Sequence, residues 1–196
     1  MKDQPINEQE SLRIIHAMIN KTQGRVSDNG FYFLLWGWLV FVAAISQYTL
    51  LKIYHSEMNG LPWAILMPLG GLVSGIRGWR DGKKERVKTY TGEMLGYSGI
   101  AFGAGLAIVL VFMSVNGGWL LAYPMIMMVY GMWLFVSGGA LKFKPLMIGA
   151  VIDWLCSIGS FYVKTEEIIL VLAFAVLAGY IIPGHLLNLK YKRENQ

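Results

Sequence analysis

The chain has 196 residues, 55% of them apolar and 15% charged, with a mean hydropathy of +0.48. That balance excludes a soluble globular domain, a disordered chain and a collagen-like fibre. A single cysteine, Cys156, excludes a disulfide framework or a cysteine-only metal centre. The formal charge of +5 points to anionic lipid headgroups rather than nucleic acid, because no folded basic domain accompanies it.

Residues 1–30 precede the first apolar run and are expected to form a short amphipathic helix and turn. Asn7 stands at an N-cap position with Glu10 three residues on, the capping-box spacing. At 100° per residue, Leu12, Ile14, Ile15, Met18 and Ile19 share one side while Arg13, Ala17 and Asn20 lie opposite. Such a helix rests on a membrane surface or on a protein partner, which would meet it through residues 8–24. The turn-forming cluster Ser27-Asp28-Asn29-Gly30 then redirects the chain. No signal-peptide core with a small-residue cleavage site is visible, so the first apolar run is expected to remain in the mature chain.

A bilayer-spanning helix needs about 20 mostly apolar residues, and six runs of that length follow. They cover residues 31–53, 61–79, 94–115, 119–141, 145–163 and 167–189. The expected fold is therefore an all-α integral membrane bundle of six transmembrane helices over residues 31–189, closed by a basic tail, 190–196. Short connections make sequence neighbours antiparallel and arrange the helices as three hairpins. Two local echoes hint that the hairpins repeat: Val73-Ser74-Gly75 against Val136-Ser137-Gly138, and Trp38-Leu39 against Trp154-Leu155.

Orientation follows from the basic residues. With the N-terminus in the cytoplasm, fifteen of the seventeen fall on that side and only Lys52 and Lys164 on the other. The positive-inside rule then places both termini in the cytoplasm, and the expected location is the cytoplasmic (inner) membrane. Arg77, Arg80, Lys83, Lys84, Arg86 and Lys88 form the densest basic cluster, positioned for anionic headgroups.

The segments Glu10-Ser11-Leu12, Met18-Ile19 and Gly30-Phe31-Tyr32-Phe33-Leu34-Leu35-Trp36-Gly37-Trp38, followed by an all-helical remainder, resemble small bacterial six-span membrane proteins that have no assigned activity. The hairpin outline is also similar to that of acid-resistance membrane proteins built from three helix pairs. That second likeness is one of architecture alone, and neither implies a site residue.

Asp153 is the one formally charged side chain well inside any run. A charge at mid-bilayer costs about 2.5–3.5 kcal/mol on insertion scales, and intramembrane acids mark proton or ion sites by default. Tyr130 and Tyr180 fall at similar depth, and a phenol can donate to a carboxylate or accept from a carboxylic acid. Two readings follow: a proton or cation site, or a neutral acid whose hydrogen bond locks helix packing.

Gly92, Gly96, Gly99 and Gly103, continued by Ala107, occupy one face of the third helix. Such a face lets a second helix approach closely. It serves either self-association, making a homo-oligomer, or an internal seam, with Gly71 and Gly75 of the second helix as the facing surface; the internal seam is the commoner use. Pro68, Pro124 and Pro183 each free a backbone carbonyl inside a helix. His185, near the inner end of the last helix, is positioned to respond to cytoplasmic pH or simply to sit at the interface. His16 and His55 lie in other compartments, so the three histidines cannot converge on a metal.

The zinc-protease, nucleophile-elbow and phosphate-loop motifs are missing, and one membrane aspartate cannot form a protease dyad. The expectation is a non-enzymatic protein without cofactor or metal. Most of its polar information is cytoplasmic, which favours an accessory or regulatory role with a docking surface there. The alternative is a proton- or cation-coupled transporter or channel for a small solute, centred on Asp153.

Overall fold

In lipid every backbone N–H and C=O must be bonded within the protein, and the apolar runs meet that condition as helices. The computed structural model describes residues 30–83 and 90–194. The expected N-terminal amphipathic helix and the basic residues Lys84, Arg86 and Lys88 lie outside the described residues.

Helix α1 spans Phe31–Lys52, α2 Leu61–Gly82 and α3 Tyr90–Asn116. A 3-10 turn, Trp119–Leu121, leads into α4, Ala122–Ala140. Helix α5 runs over Lys144–Gly159 and continues as a 3-10 turn through Ser160–Tyr162. The last run has three parts: α6, Ile168–Val176, a π-helical turn, Leu177–Ile181, and α7, Ile182–Glu194.

Five of these six helical runs are long and apolar enough to cross a membrane; α2 is the exception. It has the 22-residue length of α1, but Pro62, Pro68, several glycines and the charged Arg77, Arg80 and Asp81 dilute its apolar content. It nevertheless follows α1 closely. Trp36 Nε1 donates to Ser74 Oγ at 3.1 Å, and the Arg77 guanidinium lies 3.9 Å from the centre of the Phe31 ring, a cation–π contact.

The core lies where α4, α5 and α6 meet α1, around the fully buried Met127, Leu134, Leu146, Ile169, Leu172 and Val176. The densest contact joins α4 to α5, across the boundary between the second and third expected hairpins. Two side-chain hydrogen bonds stitch this pair: Trp154 Nε1 to the Met128 carbonyl at 3.2 Å and Ser157 Oγ to the Pro124 carbonyl at 2.8 Å. Helices α2 and α3 are peripheral, α2 resting on α1 and α3 on α4.

The α4–α5 turn is tight because α4 ends in a Schellman arrangement. Phe143 N–H bonds the Gly138 carbonyl at 2.8 Å and Lys142 N–H the Gly139 carbonyl at 3.2 Å. The left-handed position between them is filled by Lys142, φ 50°, where a Cβ is unfavourable. Lys142→Gly is therefore expected to stabilise the protein by about 0.5–1 kcal/mol, read as a rise in Tm in detergent; a lower Tm would show that the lysine side chain matters more than the backbone strain.

Candidate functional site

The site forms where the last helix is broken. Pro183 has no N–H to give the Gly179 carbonyl four residues earlier, and the backbone just before it widens into the π turn. Ile182 N–H accordingly bonds the Leu177 carbonyl, five residues back. Single-turn π segments of this kind recur at functional sites.

Asp153 of α5 faces that turn. Nine residues past Lys144, it lies about 13 Å along the helix axis, close to the middle of a ~30 Å hydrocarbon core. Its side chain is completely buried. A Cβ built on Gly179 would fall 2.7 Å from Asp153 Oδ1, so the carboxyl occupies the space a side chain at position 179 would need. Neither carboxyl oxygen has a hydrogen-bond partner among the described residues.

Two other buried oxygens share this condition among the described residues: Ser137 Oγ on α4 and the Tyr180 hydroxyl on the π turn. Ser137 is fully buried and Tyr180 nearly so. The Tyr180 ring centre lies 5.2 Å from that of Tyr130 and 6.1 Å from that of Phe33; Tyr130 in turn packs on Phe102 at 5.7 Å. The structure thus gathers the three polar residues expected from the sequence, with both phenols near enough to Asp153 to interact electrostatically. It shows no hydrogen bond to the carboxyl among the described residues. Each buried group left unbonded costs about 1–3 kcal/mol, so Asp153 and Tyr180 together form an expensive polar arrangement.

Tyr130, Tyr180 and Ser137 also line a groove of ≈ 1070 Å³ that separates α1 and α2 from α3. The small-residue face of α3 borders it: Gly92, Gly96, Gly103 and Ala107 all contribute to the wall. Side chains built on Gly96 or Gly103 would meet nothing within 4 Å, whereas one on Gly99 would lie 3.5 Å from Trp133. On α2, Gly71 and Gly75 likewise have open space, and Gly70 is the position packed close, against Leu39 and Trp36 of α1.

Gln47, a buried hub at the far end of α1, went unnoticed in the sequence. Its Oε1 accepts from Trp63 Nε1 at 2.6 Å and from the Tyr123 hydroxyl, and its Nε2 donates to Asn59 Oδ1 at 3.5 Å. One amide thereby ties α1 to α2 and α4, beneath the stacked Trp63 and Tyr123 rings. A glutamine within an apolar run was the available signal; a search for charges passes over it. Close by, Lys52 pairs with Glu166. Gln47→Leu is expected to destabilise the bundle by about 1–3 kcal/mol, because the indole and phenol donors lose their acceptor. An unchanged Tm would show that those donors find another partner.

No group of three His, Cys, Asp or Glu able to hold a metal occurs among the described residues. Cys156, one turn beyond Asp153, is half-buried, and His185 is exposed on α7. Arg77 and Arg80 stand near the C-terminal end of α2, with Lys83 at its C-cap over the Trp79 ring at 3.6 Å. No family model, curated protein or solved structure matches this chain, and the membrane-bundle architecture rests on its own helices.

Proposed function

We propose that the chain is a six-span carrier or channel in which Asp153 takes up and releases a proton, or a small cation, midway across the bilayer. In this reading α2 makes the sixth crossing alongside α1, and the basic connections and both termini face the cytoplasm of a bacterial cell, as the positive-inside rule predicts.

The observation that carries the proposal is the unbonded state of the buried carboxyl among the described residues. An acid retained to lock helix packing would hold a hydrogen bond, since that bond is its only structural return. A site that must exchange a proton or ion gains from polar atoms not committed to one another. The interrupted last helix supports the same reading, because broken helices at mid-membrane place backbone polar groups where ions are bound. The accessory role rests on residues 8–24 and the second connection, which the described residues include only in part.

The test is a flux measurement on the full chain in vesicles loaded with a pH-sensitive dye. A gradient of Na⁺, K⁺ or an organic ammonium ion is expected to drive proton movement with the wild type, and Asp153→Asn is expected to reduce it to the protein-free background. No proton movement with the wild type, or unchanged movement with Asp153→Asn, would overturn the proposal and return the acid to a packing role.

A further inference from the structure

The groove beside the acid has a chemical character of its own. At ≈ 1070 Å³ it lies at the upper end of small-molecule sites, and two of the helices that line it, α2 and α3, are peripheral, resting on α1 and on α4 respectively. Nine of its lining residues are aromatic, among them Phe33, Trp36, Trp63, Phe102 and Trp133. Among the described residues its one ionisable carboxylate is Glu93, and no Lys, Arg or His lines it. Ser137 and Tyr180 are among its lining residues, with their hydroxyl oxygens themselves buried.

Each feature selects the same ligand. Aromatic faces carry negative charge density and attract cations, more strongly where water is excluded. A carboxylate at the wall adds attraction of the same sign. The apolar wall requires that the cation be weakly hydrated and largely hydrocarbon. The side chains missing at Gly96 and Gly103 leave the room it would fill.

The geometry points to a binding site for lipophilic organic cations, hydrophobic amines or onium ions that enter sideways from the acyl-chain layer. Their identity as cargo rests on the proton-site reading of Asp153; their binding does not.

Binding is measured on the full chain in detergent by quenching of the groove tryptophans with tetraphenylphosphonium. Tetraphenylborate, of the same shape and opposite charge, is the control. Saturable binding is expected, at least about tenfold tighter for the cation. Gly103→Leu or Gly96→Leu, which fill the groove, are expected to weaken it about tenfold or more, and Glu93→Gln severalfold, while Gly71→Leu, outside the groove, leaves it unchanged. Thermal melts identify any variant that has not folded, and the two groove-filling variants are alternatives in that event.

Equal or tighter binding of tetraphenylborate would overturn the proposal, marking the groove as an apolar crevice for ordinary acyl chains. So would an affinity insensitive to both leucine substitutions. A tenfold tightening in the double variant Ile15→Asp, Ile19→Asp would assign the groove to the chain's own N-terminal segment instead. If the cation fails to bind while Asp153 still exchanges protons, this inference alone falls; if it binds while Asp153 does not exchange, the proposed function alone falls.

Discussion

Asp153→Leu is expected to give a protein that is more stable than the wild type and inactive in proton movement. Leucine keeps the branching of the carboxyl and removes two buried oxygens that have no hydrogen-bond partner among the described residues. Relieving an unsatisfied buried polar group is worth about 1–3 kcal/mol, and a well-fitting apolar replacement gains further from burial. Crowding against Gly179 works in the other direction, so the Asp153→Ala variant, which cannot crowd, is measured beside it. Removing a hydrogen-bonded packing acid would have the opposite sign, because its partner would be left buried and unbonded. A fall in Tm for both variants would therefore favour the packing role. Stability sacrificed at a functional group is a common pattern in proteins.

Gly149→Leu is expected to be among the most damaging single substitutions in the bundle. A Cβ at this position would lie 2.8 Å from Gly179 Cα and 2.9 Å from the Gly179 carbonyl oxygen. Those atoms are backbone and cannot rotate away, so α5 and the π turn would have to separate and move Asp153 with them. Overpacking of this kind costs about 1–3 kcal/mol, sometimes more, and leucine adds three further carbons to the clash. Loss of folded protein is the expected result, with Gly149→Ala intermediate. On α3, Gly103→Ala meets nothing within 4 Å and is expected to be neutral or to stabilise by up to about 1 kcal/mol, the usual gain over glycine inside a helix. Thermal melts of the three variants side by side check the order; equal effects at positions 149 and 103 would contradict it.

These two positions also show what the sequence could reveal. The helical runs were legible almost to the residue, as with 31–53 against Phe31–Lys52, because length and apolar content decide spanning helices. The depth shared by Asp153, Tyr130 and Tyr180 was legible for the same reason, since a fixed rise per residue converts position into depth. Lateral arrangement was not. In lipid both the buried and the outward faces of a helix are apolar, so no stripe marks which side meets protein. Spacing alone reveals the small-residue face of α3, but whether it meets a helix or borders a groove depends on what stands opposite. Gly149 and Gly179, by contrast, belong to no stripe and touch through their backbones. Pro183 signalled a break in the last helix, yet the π turn that absorbs it begins six residues earlier, at Leu177. Ser137 was visible as one element of a repeat, and only the fold shows its hydroxyl buried without a partner among the described residues.

The central claim is that Asp153 exchanges protons with its surroundings, and infrared spectroscopy of the membrane-reconstituted protein reads that carboxyl directly. Wild-type spectra recorded across a pH series, with Asp153→Asn subtracted, are expected to show a protonated carboxyl band that disappears reversibly as the pH is raised and an ionised carboxylate band that grows in its place. A carboxyl band that keeps its full intensity at every pH at which the protein stays folded would contradict the claim.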